Sequence, residues 1–134
     1  MQHKNRKGKI PVMQQVGIDI VEIARIERAV NRWGQGFLNR VYTEPELKLY
    51  GNKPSSLAAR FSAKEAVIKA LNSRSIGLKD IEILSDPTGK PEVKLYGRAQ
   101  SQAEDIGLSN LAVSLSHCRE YAVACAVGET KADS

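Results

Sequence analysis

Hydrophobic positions change period several times along the chain, and each change predicts an element. Val16-Gly17-Ile18-Asp19-Ile20-Val21 alternates and is rich in β-branched residues, which predicts a strand. From Ile23 the apolar residues recur as Ile23, Ile26, Val30 and Trp33, a helical stripe that Gly34 and Gly36 close. Arg25, Arg28 and Arg32 fall on the other side of that helix, spaced three and four apart. Thr43-Glu44-Pro45-Glu46 combines a capping box with a first-turn proline and predicts a short helix to about Tyr50. Gly51-Asn52-Lys53-Pro54 interrupts it. Ser55 or Ser56 then caps the longest helix, which runs to about Leu71.

The second half is mostly strand. Asp80–Leu84 and Glu92–Tyr96 flank Asp86-Pro87-Thr88-Gly89, where Pro presets one dihedral and Gly accepts a left-handed one, so the pair predicts a hairpin. A polar helix from Gly97 to Ile106 ends at Gly107. Leu111–Ser116 alternates as a strand. Tyr121–Val127 is apolar throughout, which predicts a last strand buried on both faces. Strands and helices mix without strict alternation. The expected class is therefore α+β, a mostly antiparallel sheet packed against a long helix.

Composition narrows this little, except for charge. The 134 residues suit one domain with its own core, and hydrophobic residues at 42% are ordinary for a globular chain. The net charge of +5 sits almost wholly in residues 1–15, where Lys4, Arg6, Lys7 and Lys9 face no acid. A general phosphate-backbone binder spreads its excess over the folded surface, so no nucleic-acid partner is expected. Residues 1–15 are expected to be a disordered basic extension, residues 16–129 the folded domain and residues 130–134 a tail. No run is long enough for a membrane span or a secretion signal, so no membrane partner is expected. Two cysteines, Cys118 and Cys125, make no disulfide framework, which suggests a reducing, cytoplasmic setting.

Three polar residues stand where packing disfavours them. In the long helix, Leu57, Phe61, Ile68 and Leu71 share a narrow arc, with Lys64 in its middle and Glu65 on its flank. A lysine there either snorkels over apolar surface or is held for a purpose. Asp19 interrupts a strand near its end; it caps the next helix or serves a site. Asp19 and Glu65 together would offer two hard oxygens, the usual protein share of a magnesium site completed by phosphate and water. His117, where a strand meets a turn, is either a site residue or a hydrogen-bonded structural histidine.

These residues lie in blocks that resemble the phosphopantetheinyl transferase signatures. The blocks are Gly17-Ile18-Asp19-Ile20-Val21-Glu22, Arg60-Phe61-Ser62-Ala63-Lys64-Glu65-Ala66, Gly89-Lys90-Pro91 and Ser114-Leu115-Ser116-His117. Their order and the short chain are similar to the small, trimeric holo-acyl-carrier-protein synthase group, over about Val16 to Glu129. The resemblance implies the following roles. Asp19 and Glu65 hold Mg2+, and Glu65 helps deprotonate the acceptor serine. Lys64 contacts the coenzyme A pyrophosphate and shares in catalysis, with Lys69 assisting. Arg60, Lys90 and His117 contact the nucleotide end and phosphates of coenzyme A, on a surface shaped by Gly89, Pro91 and Ser116. Arg25, Arg28 and Arg32, with Arg40 as an extension, meet an acidic acyl carrier protein. Homotrimers with active sites at subunit interfaces are implied too, as is a place in fatty acid biosynthesis.

Four other readings compete. An integrated transferase domain of a fatty acid synthase is less expected for a free-standing chain. A two-lobed, broad-specificity transferase would be about twice as long. A non-catalytic RNA-binding protein would use the basic tail. A zinc protein would use His117, Cys118 and Cys125, whose spacing fits no ordinary zinc pattern.

Overall fold

In the computed structural model, which describes residues 11–131, the elements run β1 (Gln14–Glu22), α1 (Ile23–Trp33), α2 (Gln35–Val41), α3 (Glu44–Tyr50), α4 (Pro54–Leu71), a 3-10 turn (Leu78–Asp80), β2 (Ile81–Ser85), β3 (Pro91–Leu95), α5 (Gly97–Asp105), β4 (Leu108–His117) and β5 (Tyr121–Thr130). The strands form two antiparallel sheets, β1-β5-β4 and β2-β3. The fold is α+β, as the sequence predicts.

Helix α4 is the axis of the molecule. Its side toward one core carries Ala63, Ala66, Val67, Ala70 and Leu71, packed on Ile81, Ile83, Ala124 and Ala126. A second core joins Leu57, Ala58 and Ala59 to Val21, Ile23, Ile26, Leu38, Val41 and Tyr42. So many small residues bring helix and sheet close. Gly17 marks the closest approach: a Cβ there would stand 1.8 Å from the Ala66 carbonyl oxygen. Only glycine lets β1 lie on α4 at this point.

The structure departs from the sequence expectations at several places. Helix α2 is not predicted, because Gly34 and Gly36 read as a stop; the chain turns at Gly34 (φ 52°) and at once becomes helical again. Trp33, assigned to the buried stripe of α1, is 60% exposed. Strand β1 begins at Gln14 and β5 reaches Thr130, so pairing extends past both expected limits of the domain. Met13 N donates to Thr130 Oγ1 at 2.9 Å, and Thr130 N donates to the Met13 carbonyl at 2.9 Å. The rest of the expected extension and tail, residues 1–10 and 132–134, lie outside the described residues. Strand β5 is buried on one face only. Ala122, Ala124 and Ala126 meet α4, while Val127 is 39% exposed on the other face, beside Val16, Ile18 and Ile20 of β1 at 59%, 62% and 63%. Period-two alternation in an apolar strand is masked when the inward residues are alanines.

Candidate functional site

Asp19 is the next residue after Gly17 on the face of β1 that meets α4. Ser62 Oγ donates to the Asp19 carbonyl at 2.8 Å and to Oδ2 at 3.2 Å. Lys69 Nζ donates to Asp19 Oδ1 at 3.2 Å and to the Ile18 carbonyl at 2.9 Å. Ser62, Glu65 and Lys69 are three and four residues apart, so they share one face of α4. Glu65 thus stands between the two residues that bind Asp19. Burial pushes the Glu65 carboxyl above the usual range and the Asp19 charge pushes it further, while Lys69 and Arg25 pull it back. The two carboxylates expected to share a site are therefore neighbours, although 46 positions separate them in the sequence.

Lys64 is not at that site, which corrects the expectation that it meets the coenzyme A pyrophosphate. Its side chain is sealed from solvent, with Nζ 2.7 Å from Glu46 Oε1. The same ammonium donates to the carbonyl of Leu78 at 3.1 Å and to that of Ile81. All three of its protons are spent inside the protein, so none is left for a phosphate. Desolvation pulls its pKa below the usual lysine range, against the opposing charge of Glu46. Glu46 also accepts from Thr43 N at 2.8 Å, closing the predicted capping box, and from Ile83 N at 2.8 Å. Lys69, 55% exposed and on the Asp19 face, is the lysine that the carboxylate site holds.

A pocket of about 240 Å³ opens at the other edge of the three-stranded sheet. It is lined by Arg60, Gly89, Pro91, Ser116 and His117, five of the predicted coenzyme A residues, and by Ser56, Ala59, Ser85, Ser114 and Leu115. Lys90 lies between two lining residues but does not line the pocket itself. Its loop is fixed by Asp86, whose Oδ1 accepts from Thr88 N, Thr88 Oγ1 and Lys90 N at 2.8, 2.6 and 3.0 Å. Arg60 is 7% exposed. Its Nε donates to the Ile83 carbonyl at 3.3 Å and its Nη2 to Ser85 Oγ at 3.0 Å, over the Tyr50 ring.

A third surface lies along α1. Arg25, Arg28 and Arg32 border a groove of about 440 Å³ floored by Ile26, Ala29, Trp33, Phe37 and Phe61. Phe61 is one turn before Glu65 on α4, so the two side chains share a face of that helix. Arg40 lines a neighbouring depression with Trp33 and Phe37. Sequence reasoning missed Tyr50, Ser62 and Ser85. Ser62 lay within a block already singled out, but nothing in the pattern of Tyr50 or Ser85 sets them apart from surface residues.

Paired carboxylates with an adjoining lysine, a separate arginine-histidine pocket and an arginine-rimmed groove on an α+β frame define a phosphate-handling transferase. Residues 15–126 match the model of the 4'-phosphopantetheinyl transferase superfamily, and the chain belongs to that superfamily. Within it, the chain is similar to the holo-[acyl-carrier-protein] synthases. That of Dehalococcoides mccartyi is 51% identical over 118 residues, which cover 87% of this chain and 99% of that protein. That of Halothermothrix orenii is 44% identical over 85% of this chain and 95% of its own. The crystal structure of the Helicobacter pylori synthase in complex with coenzyme A superposes with a TM-score of 0.76 at 35% identity, covering 84% of this chain and 98% of that one. The Neisseria meningitidis synthase gives 0.77 at 36%, covering 87% and 98%.

Proposed function

We propose that this chain transfers the 4'-phosphopantetheine group of coenzyme A to a serine of apo-acyl carrier protein, giving holo-acyl carrier protein and adenosine 3',5'-bisphosphate, for fatty acid biosynthesis. The observation that carries this is the meeting of Asp19, Glu65 and Lys69 on the β1–α4 contact, in a chain so similar to holo-[acyl-carrier-protein] synthases.

Asp19 and Glu65 fit Mg2+. Two hard oxygen donors with raised mutual repulsion are what a divalent cation relieves, and phosphate and water complete its shell. The ion would supply charge neutralisation on the pyrophosphate as the leaving bisphosphate departs. Ser62 and Lys69 hold Asp19 in place, and Lys69 adds positive charge at the same spot. The carrier serine attacks the phosphorus that bears pantetheine, and the bond from that phosphorus to the bisphosphate oxygen breaks. The serine proton passes to Glu65, directly or through one water. Arg60 and His117 hold the nucleotide end, with Lys90 at the pocket rim and Gly89, Pro91 and Ser116 shaping it. The Arg25, Arg28 and Arg32 groove receives the acidic carrier protein and leads its serine toward Glu65.

A homotrimer with active sites between subunits is part of this reading. Asp19 lies on edge strand β1, with Glu65 of α4 beside it, and the pocket lies on edge strand β4, with β5 between the two strands. About the α4 axis, Ser62, Glu65 and Lys69 are about 140° from Ser56, Ala59 and Arg60 at about 100° per residue. One coenzyme A reaches both half-sites more readily if a neighbouring copy supplies one of them. The exposed Val16, Ile18, Ile20 and Val127 give that neighbour an apolar sheet face to cover. The free Cys118 and Cys125 suit a cytoplasmic setting. Among the described residues no helix is long and apolar enough to cross a membrane.

The test is mass spectrometry of an apo-carrier protein incubated with the chain, coenzyme A and magnesium. A phosphopantetheine-sized gain on one serine is expected. An unmodified carrier under conditions where a known synthase modifies it would remove the reading.

A further inference from the structure

Tyr50 does not line the 240 Å³ pocket, yet it touches two of the things that shape it. The Arg60 guanidinium carbon lies 3.6 Å from the Tyr50 ring centroid, so the planar cation rests on the ring. The Tyr50 hydroxyl accepts from Ser85 N at 3.1 Å, and Ser85 Oγ in turn accepts from Arg60 Nη2 at 3.0 Å. Ring, hydroxyl and strand β2 thus close a loop of contacts around one arginine. Arg60 Nε and Nη2 are spent on protein oxygens. Nη1 makes no hydrogen bond among the described residues, where no buried side-chain nitrogen is left unpartnered, and Arg60 itself lines the pocket. A free arginine gives up much rotamer freedom on meeting a phosphate; one stacked and bonded beforehand gives up little.

We propose that Tyr50 is a positioning residue that aims Arg60 at a phosphate of coenzyme A. This rests on the pocket being the coenzyme A nucleotide site. Tyr50 acts through Arg60 and has no part in the chemical step, so its effect belongs in coenzyme A capture and not in turnover.

The experiment measures KM for coenzyme A, KM for carrier protein, kcat and the calorimetric Kd of adenosine 3',5'-bisphosphate, for Tyr50→Leu, Tyr50→Phe, Arg60→Ala and the Tyr50→Leu/Arg60→Ala pair. Tyr50→Leu is expected to raise the coenzyme A KM and the bisphosphate Kd about three- to tenfold, the range of a partly desolvated cation–aromatic contact. kcat and carrier KM stay within twofold. Tyr50→Phe keeps the ring and stays near wild type. In the Arg60→Ala background Tyr50→Leu adds nothing further. Should the leucine variant not fold, Tyr50→Met offers a longer, more adaptable apolar side chain without the ring. An unchanged coenzyme A KM, a matching fall in kcat, or an undiminished Tyr50 effect without Arg60 would each overturn the proposal. Normal bisphosphate binding by Arg60→Ala would instead overturn the assignment of the pocket itself.

Discussion

Lys64 Nζ lies 2.7 Å from Glu46 Oε1, and neither side chain reaches solvent. The pair ties α4 to α3, and through the Leu78 and Ile81 carbonyls and Ile83 N it ties both to the start of β2. Removing the lysine strands a buried carboxylate. Lys64→Met is expected to cost about 3–5 kcal/mol in chemical denaturation. Adding Glu46→Gln should recover part of the loss, since the stranded charge is then gone. A double variant less stable than the single one would contradict this account.

The Asp19–Glu65 cluster predicts a metal requirement. Asp19→Asn and Glu65→Gln should each lower transfer about a hundredfold or more, as expected when several kcal/mol of charge stabilisation is lost. Circular dichroism should remain that of the wild type. Chelator should silence the wild-type enzyme and added magnesium should restore it; full turnover in excess chelator would count against the metal.

Gly17 predicts a coupled defect in stability and activity. Its replacement by Ala places a methyl group against the Ala66 carbonyl and the backbone nitrogen of Ala70, at 1.8 and 2.8 Å. Helix and strand must part, at about 1–3 kcal/mol by the usual cost of overpacking. Asp19 moves with the strand, so kcat should fall even well below the melting temperature. A folded Gly17→Ala protein with normal kcat would show that the β1–α4 contact does not set the site.

The groove on α1 predicts a charge-dependent carrier KM. Arg28→Glu should raise it about tenfold at low salt, less at high salt, and leave the coenzyme A KM alone. Arg28 is a cleaner probe than Arg25, whose charge is felt at Glu65. Equal carrier kinetics in low-salt buffer would remove the groove from the docking surface.

The outward face of the sheet predicts an assembly defect. Ile18→Glu or Ile20→Glu puts a charge on the exposed apolar strip, and sedimentation should then report monomers with little transfer activity. A wild-type chain that sediments as a monomer at assay concentration would refute the trimer.

Much of the frame was legible because strong local signals carried it: the Thr43 capping box, the Asp86–Gly89 turn and the alternation around Asp19. The two carboxylates stood out singly, since Asp in a β-branched strand and Glu beside an apolar arc both run against packing preference, but a helix cap and a solvated face explained them equally well, and the resemblance gave them a shared role. Lys64 shows where such reasoning stops. A charged residue in an apolar stripe signals that a partner exists, but not whether the partner is a ligand or another side chain. Glu46 read as a complete explanation of a helix cap, so its second duty was invisible. Helix α2 was lost for a related reason, since glycine can end one helix and admit the next. The tyrosine beneath Arg60 meets its partner only through the tertiary fold.

Strand β1 carries two incompatible faces on adjacent residues, with Asp19 turned in toward α4 and Ile18 and Ile20 turned out. A slip of one position would exchange them, sending the carboxylate outward and driving an isoleucine into the space that only Gly17 leaves free. Deleting a single residue before Asp19 is therefore expected to be far more damaging than the loss of any one contact, because the register of this strand places the inward carboxylate and the outward isoleucines at once.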